Sequence, residues 1–335
     1  MKRSTSLILL VLAATLVGAS QAQAQDYLKF LEPVTAWSDF EFKLGFGHEF
    51  ARDDEDLDQD YNASVASLSF GTTLMADRDF GLGLDGSFKF WDLKDSAPVV
   101  PDQLMSASLG LRANFALGGM SRMFGTLNVR TANDNEDVEA EDLIVDVLGA
   151  VTIPVSKEWM LIPGLFFSSS TLDGRTPAIP YPIFEAMYRP HNDFALVLGM
   201  PVNGFYWSAN DWLSMNGFGF LLNSWAFNVT EKVSDQVNFD QFYRYTGESF
   251  RLTDEDVFPD DYTVNSRRHE IGLGMNYNPK WERENGKTTE MHLRLEYALQ
   301  VGYKWEIRDD ELDLVASPLR LENGNAFRIE FGLSF

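Results

Sequence analysis

From Phe40 onward, apolar side chains recur at every second position. Over 40–50 the even positions are Phe40, Phe42, Leu44, Phe46, His48 and Phe50, and the odd ones are Glu41, Lys43, Gly45, Gly47 and Glu49. A period of two places the two sets on opposite faces of an extended strand. The split returns in Phe80, Leu82, Leu84, Phe88 and Phe90 against Gly81, Gly83, Asp85, Ser87 and Lys89, and in Leu109, Leu111 and Phe115 against Gly110, Arg112 and Asn114. It closes the chain with Met291, Leu293 and Leu295 against Glu290, His292, Arg294 and Glu296, then Phe327, Ile329, Phe331, Leu333 and Phe335 against Arg328 and Glu330. Helical periodicity is almost absent. A soluble sandwich also shows one apolar face, but its strands run about 5–6 residues. Many segments here alternate for ten or more, the length of about 9–11 residues that a tilted membrane strand needs. The pattern predicts an all-β fold, a transmembrane antiparallel up-and-down β-barrel over 40–335.

Fourteen strands are expected, at 40–50, 62–75, 80–91, 104–117, 122–131, 142–155, 159–170, 183–190, 194–206, 212–229, 236–246, 266–278, 288–306 and 325–335, with twelve as the alternative count. Connections are long after strands 1, 3, 5, 7, 11 and 13. The exception is strand 9, followed only by 207–211. Long outer loops alternating with short periplasmic turns are the habit of outer-membrane barrels. An even count leaves both termini on the periplasmic side. Trp91, Trp207, Trp212 and Trp305 are expected at outer strand ends, with Trp159 and Trp281 at the inner turns, as interfacial girdles.

The first residues add a destination. Lys2 and Arg3, the apolar run Leu7 to Val17 and the small-residue site Ala22-Gln23-Ala24 predict a cleaved signal peptide over 1–24. Residues 25–39 then form a short periplasmic lead-in. The chain has 27 Lys and Arg against 50 Asp and Glu and a net charge of −23, which excludes a nucleic-acid partner. Most of the excess falls in four proposed outer loops, 51–61, 132–142, 247–261 and 308–324. The sequence has no Cys, so neither a disulfide framework nor a thiolate metal site can form. Asp53, Asp54, Asp56, Asp58 and Asp60 offer the hard oxygen ligands that calcium prefers, but without the glycine and terminal glutamate of an EF-hand loop. They are a weak metal candidate beside the plain reading of a solvated acidic loop, and no cofactor is expected.

The alternating strands, the signal peptide and the final Phe327-Arg328-Ile329-Glu330-Phe331-Gly332-Leu333-Ser334-Phe335 resemble bacterial outer-membrane β-barrel proteins of the porin-like kind. The stretch Tyr181 to Pro190, followed by Gly199-Met200-Pro201, looks like one subgroup of such barrels, from which no activity carries over. The resemblance implies recognition of a last strand ending on aromatic residues, here Phe331 and Phe335, by the barrel-assembly machinery. It also implies contact with outer-membrane lipid and lipopolysaccharide.

If the apolar face meets lipid, the other face lines the interior. Glu41, Lys43, Asp85, Lys89, Arg112, Glu185, Arg189, Arg244, Glu270, Glu290, His292, Arg294, Glu296, Arg328 and Glu330 are the expected lumen residues. Mixed signs on neighbouring strands read as salt-bridge ladders bracing a wet lumen, or as a constriction selecting solutes by charge. The functional expectation is a porin-like channel for passive or weakly selective transport of small solutes. The alternative is a structural or surface-interaction barrel whose acidic loops bind divalent cations, lipopolysaccharide or partner proteins. An enzyme is disfavoured, because none of His48, His191, His269 and His292 stands in a nucleophile-and-base pattern.

Overall fold

The computed structural model describes residues 39–53, 60–94, 100–119, 121–134, 143–169, 180–200, 202–220, 224–252, 262–282, 288–308, 314 and 318–335. The expected signal peptide, the lead-in before Asp39, and Asp54, Asp56 and Asp58 lie outside the described residues.

The strands are β1 (Phe40–Asp53), β2 (Asp60–Ala76), β3 (Phe80–Lys94), β4 (Gln103–Gly118), β5 (Ser121–Asn133), β6 (Ile144–Pro154), β7 (Trp159–Ser168), β8 (Tyr181–His191) and β9 (Phe194–Met200). They continue as β10 (Val202–Ser208), β11 (Leu213–Phe220), β12 (Ser224–Lys232), β13 (Val237–Arg251), β14 (Thr263–Tyr277), β15 (Lys280–Glu282), β16 (Thr288–Arg308), β17 (Leu319–Leu321) and β18 (Gly324–Ser334). Sixteen of them make one closed antiparallel wall, and β15 and β17 are three-residue pieces paired to the two ends of β16. Closure runs through β1, which pairs with β2 on one side and with β18 on the other, from Glu41↔Ser334 to Glu49↔Ala326. At the seam Phe335 N–H donates to the Phe40 carbonyl at 2.9 Å, and the two rings stack with centroids 6.1 Å apart. Closure leaves no edge amide to be satisfied by water, which is the condition for a sheet to sit in hydrocarbon.

The expected fourteen strands are therefore corrected to sixteen, and the twelve-strand alternative falls with them. Two expected strands each fold into a hairpin. Residues 194–206 turn back between Met200 and Val202, so that β9 and β10 pair from Val197↔Gly204 to Phe194↔Trp207. Residues 212–229 turn back between Phe220 and Ser224, pairing β11 with β12. Next to the first reversal, Gly199 has φ +153°, and a Cβ there would lie 2.1 Å from the Phe184 carbonyl oxygen. No residue with a side chain fits that approach.

With sixteen strands the irregular connection after the expected strand 9 disappears. The chain around Asn210 is one of four turns built alike at the end that carries both termini. Asp77, Ser156, Asn210 and Ser234 each accept, through the side-chain oxygen, the backbone N–H groups two and three residues ahead, at 2.8–3.3 Å. Such Asx and Ser turns replace ladder bonds at the reversal. The girdle expectation changes accordingly. Trp207 and Trp212 sit at this turn end together with Trp159 and Trp281, all four exposed. Trp91 and Trp305 do stand at the opposite, loop end, but they point inward and are buried. On the outer face there, Trp225 is exposed instead.

Candidate functional site in the barrel interior

The inward face is not uniform around the wall. On β5 through β11 it is mainly apolar: Phe124, Leu148, Ile162, Ile183, Val197 and Phe218 belong to one continuous buried cluster. On β13, β14, β16, β18 and β1 it is ionic. Arg294 donates from Nη1 to Asp240 Oδ2 at 2.5 Å and from Nε to Glu296 Oε2 at 3.2 Å. Glu296 also accepts from Arg244, and from Arg328 Nη1 at 2.8 Å. Arg328 reaches Glu270 as well, and Glu270 accepts from Arg268 Nε at 3.0 Å and from Gln300 Nε2 at 2.8 Å. Gln300, which is fully buried, passes the chain to β1 by donating to Glu49 Oε1 at 3.1 Å and accepting from Arg52 Nη2 at 2.7 Å. Arg52 Nη2 donates to Glu49 Oε2 too, at 2.8 Å.

Burying an ion costs several kcal/mol, which only close pairing and full hydrogen bonding offset. Here Glu49, Glu270 and Glu296 each face two or more cations on different strands, so the network ties non-adjacent strands together. Its packing is tight. A Cβ on Gly324 would lie 2.8 Å from Arg52 Cδ and 2.9 Å from Nη1, so a larger residue there would have to displace this guanidinium, which lies over the Tyr303 ring at 4.5 Å.

Of the expected lumen residues, the structure brings Arg244, Glu270, Arg294, Glu296 and Arg328 into this one network. Others form separate groups nearer the turn end. His292 donates from Nδ1 to Asn278 Oδ1 at 2.6 Å, and its Nε2 lies 3.3 Å from Glu330. Lys43 and His292 flank Gly332. Arg112 is 3.4 Å from Asp85, which shares the space over Gly71 with Glu41. Glu290 pairs with Lys280 of β15 at 3.0 Å. Glu185 and Arg189 do not join the ionic half. Glu185 is buried among the apolar residues, accepting Val202 N–H at 3.1 Å, and Arg189 donates to Asn192 at 2.5 Å beside the β8–β9 turn. Phe331 stands on the outward face of β18, in line with Phe327 and Ile329.

Sequence reasoning missed Glu49, Arg52, Glu248, Arg268 and Gln300. Glu248 was assigned to an outer loop, yet the alternation Phe242, Arg244, Thr246, Glu248, Phe250 continues unbroken through β13. That run was a usable signal. Arg52 gave none, because a register shift between Glu49 and Arg52 breaks the parity.

The far end of the ionic half is roofed. Tyr61, Trp91, Leu104, Phe250, Tyr303 and Trp305 belong to a second buried apolar cluster at the loop ends of β2, β3, β4, β13, β14 and β16. Contacts cross the lumen at this level. Lys89 on β3 donates to Glu248 on β13 at 2.5 Å, and the rings of Trp91 and Phe250 meet edge to face at 4.9 Å. At the tips, Arg251 of β13 pairs with Asn133 of β5 in a backbone bridge. Sixteen strands spaced about 4.8 Å and tilted about 40° would close a circle roughly 30 Å across. Five strands, β14, β16, β18, β1 and β2, stand between β13 and β3 on the shorter way round the wall. Two side chains cannot bridge that circle, so the barrel is flattened at its loop end, with β13 leaning onto β3 and β5.

No His, Asp and Glu grouping able to hold a metal occurs among the described residues, and of the five candidate aspartates only the exposed Asp53 side chain is described. His48 Nδ1 lies 3.2 Å from Ser64 Oγ on the outer face, a contact their spacing in sequence concealed. The ring's flank is Phe50, edge to face at 5.2 Å.

A closed sixteen-strand wall whose exposed face carries Phe46, Leu109, Leu111, Leu127, Leu165, Phe184, Leu198, Ile271 and Leu273 has one compatible solvent. This is an integral outer-membrane β-barrel. No protein-family model matches its sequence, and no curated protein does. Among solved structures it is similar to an outer-membrane channel from Pseudomonas putida F1, with a TM-score of 0.40 at 9% identity over 89% of this chain and 96% of that one. It is similar also to Pseudomonas aeruginosa OpdQ, with a TM-score of 0.34 at 11% identity over 89% of this chain and 100% of that one. The P. putida toluene transporter TodX gives a TM-score of 0.39 at 7% identity, covering 90% of this chain and 91% of that one. At these scores the likenesses say nothing about cargo.

Proposed function

We propose that this barrel is a channel for small solutes whose path follows the apolar wall of β5–β11, and that it selects solutes by their apolar surface instead of admitting them through a wide water-filled pore. The observation that carries the reading is the division of the interior. Opening the ionic half would strip buried guanidinium and carboxylate groups of partners they cannot replace without water, at a cost of several kcal/mol per ion. The apolar half is held by non-directional contacts, each worth only a few tenths of a kcal/mol at most. A solute with an apolar face replaces those contacts as it displaces them. The lower-cost route for a passenger is therefore on the β5–β11 side.

Reconstitution in liposomes tests this with two monoanions that differ in apolar surface, benzenesulfonate and methanesulfonate. Benzenesulfonate entering faster supports the reading. Methanesulfonate entering as fast or faster contradicts the selectivity, and no entry of either, together with silent planar bilayers, contradicts the channel.

A further inference from the structure

We infer that the contacts joining β13 to β3 and β5 are a clasp that holds the channel shut from its loop end; the inference rests on the channel reading above. The clasp has three parts, stacked toward the loop end. Lowest is the ion pair of Lys89 with Glu248, whose second oxygen lies 3.6 Å from Arg268. Above it, Trp91 meets Phe250, and the Lys89 ammonium lies 4.1 Å from the Trp91 ring centroid, so one side chain serves both parts. Highest is the backbone bridge of Arg251 with Asn133.

Position on the wall makes these contacts consequential for both halves. β5 and β13 stand eight strands apart in either direction round the sixteen-strand wall. A tie between them lies along a diameter, and it sets the cross-section of the ionic half and of the apolar half together. Releasing it lets the section relax toward the circle that the strand count favours, roughly 30 Å across at the backbone. The ladder bonds of the wall are untouched by that change, because the clasp adds nothing to the neighbour-to-neighbour pairing. Among the described residues the ionic network runs along the wall from β13 to β1 without crossing to β3 or β5, and Glu248 keeps Arg268 of the neighbouring strand, so the contacts that opening breaks are those of the clasp. An ion pair, an edge-to-face aromatic pair and one backbone bridge are a small enough difference for the two shapes to exchange.

The absence of native cysteine allows a direct test. Partners in a backbone bridge are close enough for a disulfide, so the pair Asn133→Cys and Arg251→Cys locks the clasp when oxidised and frees it when reduced. Lys89→Met removes the charge while keeping the length of the side chain over Trp91. The expected results are ready disulfide formation in the folded barrel, seen as a gel shift, and a conductance that stays at its lowest while the disulfide is intact. Lys89→Met should raise open probability about tenfold, the effect of removing about 1.4 kcal/mol from the closed state, and should have no effect in the oxidised pair. Failure of the disulfide to form in folded protein overturns the clasp. A disulfide that forms, with Lys89→Met conducting as the parent does, overturns its role as a gate. A disulfide that forms while every variant and the parent remain silent to ions and solutes overturns the channel reading itself.

Discussion

Between β13 and β1 the interior is a lattice of guanidinium and carboxylate groups handed from strand to strand, whereas between β5 and β11 it is Phe124, Ile162, Ile183 and Val197 packed on one another. Both halves are buried and both face inward from the same sheet, yet they resist disturbance differently. Ionic contacts are directional and few, so losing one member strands the others. Apolar contacts are many and interchangeable, so losing one leaves a space. The difference separates the part of the barrel that holds its shape from the part that can yield to a passenger.

The largest expected effect comes from breaking the ionic half at its centre. Glu270→Ala leaves Arg268 and Arg328 facing each other without their shared carboxylate and should cost about 3–5 kcal/mol, read as a fall in the urea midpoint of the folded barrel in detergent. A cost below about 1 kcal/mol would mean that this half is wet and that the contrast with the apolar half is false. Next is Ile162→Ala in the apolar half, expected to cost about 2–4 kcal/mol and, unlike Glu270→Ala, to quicken benzenesulfonate entry. Slower entry would place the path elsewhere.

Two turn substitutions sharpen the comparison at lower amplitude, one in the apolar half and one just beyond the ionic half. Asn210→Ala, in the turn between β10 and β11 of the apolar half, removes acceptors for two backbone N–H groups and should cost about 1 kcal/mol. Asp77→Ala, between β2 and β3, should have the smallest effect, and one that depends on pH. The N–H groups of Asp79 and Phe80 hold the Asp77 carboxyl below its ordinary range. Its contribution is thus complete above about pH 5, where the unfolded carboxyl is almost fully ionised, and is lost progressively as pH falls through the lower folded value. The stability gap between parent and Asp77→Ala should close on acidification, and a gap that widened would contradict the assignment.

The period-two pattern carried the architecture because, in a barrel, both faces of every strand have a fixed solvent. It faltered where that contrast fades. In 194–206 both faces are apolar, with Ala195 and Val197 inward and Leu196 and Leu198 outward, so no polar residue marked the reversal at Met200. In 212–229 the inward residues keep the same parity on both sides of the reversal, Asn216 and Phe218 before it and Ala226 and Asn228 after it, which disguised two strands as one. The charged positions on the inner face were legible singly, but their grouping was not. Arg328 meets Glu270 across β16, and Lys89 meets Glu248 across the lumen, pairings fixed by the order of strands and by the flattening of the wall. The buried Trp91 and Trp305 show the same limit, since their place near strand ends matched a girdle while their inward direction depends on a roof that only the closed barrel creates.

The division of the interior is tested most directly by single cysteines in the otherwise cysteine-free chain, one on each wall, during bilayer recording. Val197→Cys reports on the apolar wall and Gln300→Cys on the ionic one, each exposed to a water-soluble thiol-modifying reagent. Block of current through Val197→Cys with no change through Gln300→Cys is the predicted outcome. Block through Gln300→Cys with Val197→Cys unreactive would put the path through the ionic half and contradict the account.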